Sequence, residues 1–248
     1  MTGTHACFTP PNEPDVPIWR YLDLERLVSM LSKSCLFFSR SDLLGDPFEG
    51  SVSIPTVIGR HLLVAEMLAS APGLNMGEFL ATESEITRRF REWTFINCWH
   101  MSEHESAAMW SLYGRSVAIR STYRKLHDSI SSPFIYIGVV RYIDYARDVV
   151  TRGNTYWPFV YKRKSFEHER ELRVVLQDGT CCAYAGWSKL AQTQAGREIE
   201  VNLRRLKEAV HVAPQTPAWK REAIESVVRR FGLETPVLQS ALDADALF

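Results

Sequence analysis

The chain has 248 residues, 46% hydrophobic and 23% charged, which is ordinary for a globular protein and enough to bury a substantial core. Lys and Arg together number 29, as do Asp and Glu, so no net field draws the chain to nucleic acid or to a membrane surface. No stretch approaches the ~20 consecutive apolar residues of a membrane-spanning helix.

Residues 1–17 are proline-rich and lack the basic-then-apolar pattern of a signal peptide; they read as a mobile or draped arm ahead of one α+β domain over 18–248. The five cysteines, Cys7, Cys35, Cys98, Cys181 and Cys182, form no C-x-x-C pair. An odd count with one adjacent pair fits reduced thiols, so the expected location is cytoplasmic.

Residues 18–22 read as a short strand. Asp23 then caps a helix with Leu24, Leu27, Val28 and Leu31 on one face, and residues 35–39 return as a strand. That strand runs into Ser39, Arg40 and the turn Asp46-Pro47-Phe48-Glu49-Gly50, which concentrates two carboxylates at a strand end. Residues 57–69 and 76–93 predict two amphipathic helices, separated by the breaker Ala71-Pro72-Gly73 and lying over the sheet as a helical insertion near 54–93.

Residues 94–99 predict a strand. Ser102 with Glu105 forms a capping box that would open a helix through Tyr113. A strand at 117–120 and a helix at 122–129 follow, then a long β-like run at 134–143 and a helix at 156–168. Residues 171–176 predict a strand, followed by a loop holding Cys181 and Cys182. Strands at 199–201 and 209–213, a helix at 219–231 and a short strand at 236–238 complete the chain. Many short strands mixed with helices, without a βαβ rhythm, predict an α+β fold with a mixed or split sheet.

Three common signatures are absent: G-x-G-x-x-G, G-x-x-x-x-G-K-[ST] and G-x-S-x-G. His100-Met101-Ser102-Glu103-His104 matches H-x-x-E-H, a zinc-peptidase pattern. That chemistry needs both histidines on one helix face, and His100 directly follows a strand, so no metal site is assigned. Trp110 and Tyr113 are three apart and share a face, which serves either core packing or a stacking wall for a flat ring. In the stretch 164–173, strand alternation puts Glu169, Glu171 and Arg173 on one side, as an ion-pair girdle or a site.

Four ordered boxes resemble the bacterial family called domain of unknown function 2971. They are Tyr21-Leu22; Phe38-Ser39 with Asp46-Pro47-Phe48-Glu49-Gly50; Cys98-Trp99 with Met109-Trp110 and Tyr113; and Lys164 with Glu169-x-Glu171-x-Arg173. The order is also similar, more loosely, to that of ADP-ribosyltransferases. That resemblance implies NAD held in a cleft of a split sheet and cleavage of its nicotinamide–ribose bond through an oxocarbenium-like state. It implies Glu171 or Glu169 as the catalytic carboxylate, Tyr21, Ser39, Arg40, Trp110, Tyr113 and Arg173 as cofactor-binding residues, and Asp46, Pro47, Glu49 and Lys164 as support. The expected partner is a small-molecule nucleotide, with the acceptor open; a bacterial toxin or phage-defence effector is the implied role.

Two alternatives stand beside this reading. A phosphodiester enzyme, such as a nuclease in phage defence, would gather Asp46, Glu49, Glu169 and Glu171 around Mg²⁺. A non-catalytic binding module would use the charged boxes only as ion pairs.

Overall fold

Hydrophobic spacing near the start of the chain changes from period two to a helical period and back, and the backbone follows it in β1 (Pro17–Leu22), α1 (Leu24–Lys33) and β2 (Cys35–Arg40). Asp23 caps α1 by accepting a hydrogen bond from the Arg26 amide at 2.8 Å. The computed structural model describes residues 2–70, 75–114, 116–179 and 194–247. It continues with α2 (Ile54–Ser70), α3 (Met76–Glu92), β3 (Thr94–Met101), α4 (Ala107–Leu112), β4 (Val117–Thr122), α5 (Tyr123–Ser129), β5 (Ile135–Val139) and β6 (Arg141–Ile143). A 3-10 turn at Trp157–Phe159 precedes β7 (Tyr161–Arg163), and another at Lys164–Glu169 precedes β8 (Glu171–Gln177). Last come β9 (Gly196–Glu200), α6 (Leu203–Leu206), β10 (Ala209–Val212), α7 (Ala218–Arg230) and β11 (Val237–Leu238).

Among the described residues, nine strands form one sheet in the order β11-β10-β4-β1-β3-β2-β9, with β8 against β3 and β5 beyond it. Most neighbours are antiparallel, but β10 and β11 run parallel, so the sheet is mixed. Flanking helices complete an α+β architecture. On one face Leu27 and Leu31 of α1 and Ile224 and Val228 of α7 share a core with Phe38, Phe95, Trp99 and Leu172. On the other, Phe90 of α3, Phe159 and Tyr161 pack with Ile96 and Val175.

The sheet divides at β3. One edge of β3 pairs with β8 from Thr94 to His100. On the opposite edge β2 pairs with its first half, Ser39 facing Ile96, and β1 with its end, Trp19 facing His100. Asn97, Cys98 and Trp99 therefore face a gap between β1 and β2. Side chains bridge it in place of a ladder: the Asn97 amide donates to the Phe37 carbonyl at 2.9 Å, and Arg20 donates to the Cys98 carbonyl at 2.6 Å.

Three sequence expectations need correction. No helix opens at Ser102: pairing with β1 carries β3 to Met101, the Ser102 carbonyl accepts from the Trp19 indole, and Ser106 caps α4 instead. Residues 156–168 do not form one helix. The Asn154 side chain accepts the Tyr156 and Trp157 amides in a turn, and residues 161–163 are drawn out as β7 by pairing with β6. The run 134–143 is two strands, because β5 pairs with β8 whereas β6 pairs with β7 in a separate sheet. The breaker at 71–73 and the Cys181–Cys182 loop lie outside the described residues.

The N-terminal residues lie along β5: the Gly3 amide donates to the Ile135 carbonyl at 3.0 Å and the Val139 amide to Thr9 at 2.9 Å. Gly138 permits this, since a Cβ there would come within 2.8 Å of the Phe8 Cα. Gly138→Ala is expected to speed hydrogen exchange at residues 3–9 while leaving β3 protected. An unchanged exchange pattern at those residues would show that the arm is held elsewhere.

Candidate functional site

β8 alternates, placing Leu172 and Val174 in the core around α1 and sending Glu171 and Arg173 to the opposite face. There Arg173, 1% exposed, uses its whole guanidinium fork. Nε and Nη2 donate to Glu171 at 2.8 and 3.0 Å, while Nη1 and Nη2 donate to the two oxygens of Glu49 at 2.9 and 3.0 Å. Nη1 also reaches the Phe159 carbonyl at 2.8 Å. The early Asp-Pro-Phe-Glu turn and the late Glu-x-Arg strand therefore meet through one buried cation.

Lys162 of β7 extends the network, donating to Glu171 at 3.1 Å and also to Glu169, with Glu49 at 3.6 Å. Glu169 ends its 3-10 turn, and Arg170, at φ 41°, turns the chain sharply into β8. His100 Nδ1 donates to the Glu169 carbonyl at 2.6 Å, fixing that turn against β3. The second Glu169 oxygen accepts from the Tyr113 hydroxyl at 2.7 Å. The Glu171 amide donates to the Tyr142 hydroxyl at 2.8 Å.

Three carboxylates and two cations thus share one buried cluster. Burial pushes the Glu171 carboxyl up, but Arg173 and then Lys162 outweigh it and hold it down at about 2. Burial likewise disfavours charged Lys162, yet Glu171 and Glu49 keep its ammonium protonated above its usual range. Burial, then the bond to Glu169, raises the Tyr113 phenol. Burial pulls His100 down, keeping the ring neutral.

This cluster borders a cleft of about 770 Å³ at the gap between β1 and β2, within the usual size of a small-ligand site. Tyr21, Tyr113 and Phe166 supply aromatic wall, and Lys162, Glu169 and Glu171 the polar end. Cys98 lines the cleft, its thiol pushed well up, first by burial and then by the charge of Glu171. Residues of α1, including Ser29 and Met30, line it from the other side of the sheet, so the cleft passes through the split. Arg20 stands in the wall with no carboxylate within ion-pair distance among the described residues, and burial lowers its guanidinium to about 10.

Of the residues read from sequence, Tyr21, Ser39, Tyr113, Glu169, Glu171 and Asp46 line the cleft. Asp46 is held by Arg163 at 2.8 Å. Glu49 and Arg173 lie beneath the wall, and Trp110 stands behind it, edge-on to Tyr21 with centroids 4.9 Å apart and its indole donating to Glu105. Arg40 is turned to Asp42, at 2.7 Å, and Pro47 and Lys164 are exposed and do not line the cleft. Lys162 holds the position expected of Lys164. Lys162 and Arg20 were missed: Arg20 is the lone cation on the otherwise apolar β1, whereas Lys162 sits in a run of three cations, Lys162-Arg163-Lys164, that does not single it out.

The carboxylates do not form a metal cage. Lys162 and Arg173 occupy the spaces between them, and no group of His, Cys, Asp or Glu among the described residues is placed to hold an ion. His100 lies on β3 and His104 in the bend after it, so the H-x-x-E-H match never shares a helix face. No described helix is long and apolar enough to cross a membrane.

No family model matches the chain, so the resemblance read from its four boxes gains no support there, and no curated protein matches it. Among solved structures the chain is similar to Thermus sp. 2.9 DarT in complex with carba-NAD+, at 12% identity and a TM-score of 0.38, over 94% of this chain and 98% of that one.

Arg173→Met is expected to cost about 3–5 kcal/mol at neutral pH, because it strands two buried carboxylates. The Glu171 carboxyl, lowered from 4.5 to about 2, contributes stability that is complete above pH 4.5 and lost as pH falls toward 2. Urea melts from pH 7 to 2 should therefore show a fall over that window that is shallower in Glu171→Gln. Parallel curves for wild type and Glu171→Gln would refute the assignment.

Proposed function

We propose that the chain uses NAD as a substrate and transfers its ADP-ribose group, as an ADP-ribosyltransferase does. The observation that carries this reading is the polarity of the cleft. Two buried carboxylates joined by Lys162 form one end, aromatic rings form the wall, and Arg20, without a carboxylate partner among the described residues, lies along it.

A ligand with a cationic ring, a ribose and a diphosphate matches that order of groups. Tyr21, Tyr113 and Phe166 would grip the flat ring. Glu169 would stabilise the positive charge developing on the ribose as the bond to nicotinamide breaks, the bonding electrons leaving with the neutral ring. The acceptor then attacks the same carbon and loses its proton. Glu171, both of whose oxygens are engaged by Arg173 and Lys162, acts as a positioning residue for Lys162 and so for Glu169. Ser39 and Asp46 would orient polar groups of the ligand, and Arg20 would meet its negative charge.

Incubation with NAD, following nicotinamide release and transfer of label, tests the reading. Glu169→Gln is expected to lower the rate at least 100-fold with little change in thermal midpoint, whereas Glu171→Gln lowers both. Arg20→Leu is expected to raise KM more than it lowers kcat. Wild-type protein that neither binds NAD in calorimetry nor releases nicotinamide would overturn the proposal and leave the cluster as an ion-pair girdle around a binding cleft.

A further inference from the structure

Helix α2 turns an apolar surface outward. Ile54, Ile58, Leu62, Leu63 and Met67 are each 53–61% exposed. They stand in two rows at i, i+4 spacing, Ile54–Ile58–Leu62 and Gly59–Leu63–Met67, the ridges by which helices interlock. None of them lines the cleft.

These five side chains leave roughly 550 Å² open from a single helix, at the upper end of the ~300–600 Å² patch of an ordinary monomer and most of the ~800 Å² each partner contributes to a stable interface. Gly59 sits among them. Glycine within a helix is disfavoured against alanine, and a Cβ there would meet nothing within 4 Å. Packing inside the chain therefore does not call for it, whereas the close approach of another backbone does.

Charge narrows the choice of partner. α2 itself carries one arginine, Arg60, and one glutamate, Glu66, with no lysine, and Arg60 is turned toward Glu83 of α3 at 3.5 Å. A face for anionic lipid or nucleic acid would be rich in basic residues. A nearly neutral face can meet its own copy without like-charge repulsion.

We propose that α2 pairs with α2 of a second copy of this chain, across a two-fold axis near Gly59 and Leu62, with interlocking i, i+4 ridges that cross at roughly 50°. The pairing is independent of the chemistry in the cleft.

Sedimentation equilibrium of the full chain from about 1 to 100 μM tests it. Wild type is expected at the mass of two chains. Leu62→Asp and Gly59→Leu should each weaken association at least tenfold. Both positions are open within the chain, so the thermal midpoint at low concentration should hold in Leu62→Asp and hold or rise in Gly59→Leu. A wild-type monomer throughout, or a dimer undiminished by both substitutions, would overturn the proposal. So would sedimentation of the monomer with phosphatidylcholine–phosphatidylserine vesicles that Leu62→Asp abolishes, since it would assign the face to a membrane.

Discussion

Arg173 is the constraint on which the arrangement depends. A fully buried guanidinium must spend its donors on fixed acceptors, and here Glu49, Glu171 and the Phe159 carbonyl take them. Those acceptors come from three separated stretches of chain, so one ion orients the early turn, the 3-10 turn before β7 and the late strand together. Lys162 passes the same constraint on to Glu169 and thence to Tyr113. Buried ion pairs add little net stability against an apolar core, but they define relative positions sharply.

The second constraint is topological. β3 is shared by three strands, because β1 and β2 each cover only part of one edge. An uninterrupted sheet would be a wall with a ligand lying on one face. The gap lets groups from α1 and from the β7–β8 side line one cleft. Arg20 and Asn97 make the opening tolerable by satisfying backbone carbonyls that a neighbouring strand would otherwise bond.

Much of this was legible in the residues. Period-two runs at β1, β2, β3, β4 and β8, the Asp23 cap and the helical spacing of α1 and α7 are local signals, and the local structure follows them. The acidic and aromatic boxes were also visible, though not their division between wall and foundation. Arg173 looked available to a ligand, but its burial depends on Glu49, 124 positions away. Arg40 likewise looked available, whereas Asp42 engages it two residues on. Lys162 was hidden because the aromatic spacing around it imitates a helix, and only pairing with β6 makes that segment a strand. Ser102 and Ser106 are equally good caps by type; the extension of β3 along β1 decides between them.

The hydroxyl of Tyr113 occupies the Glu169 oxygen that Lys162 leaves available. A molecule that reaches that oxygen meets the hydroxyl of a residue standing at the C-terminal cap of α4. At the other end of the same short helix, Glu105 grips the Trp110 indole together with the Ser240 hydroxyl and the Ala241 amide. The same short helix thus carries one residue that bonds the Glu169 carboxylate and another held beside Ser240 and Ala241, more than 70 residues from Glu169 in sequence.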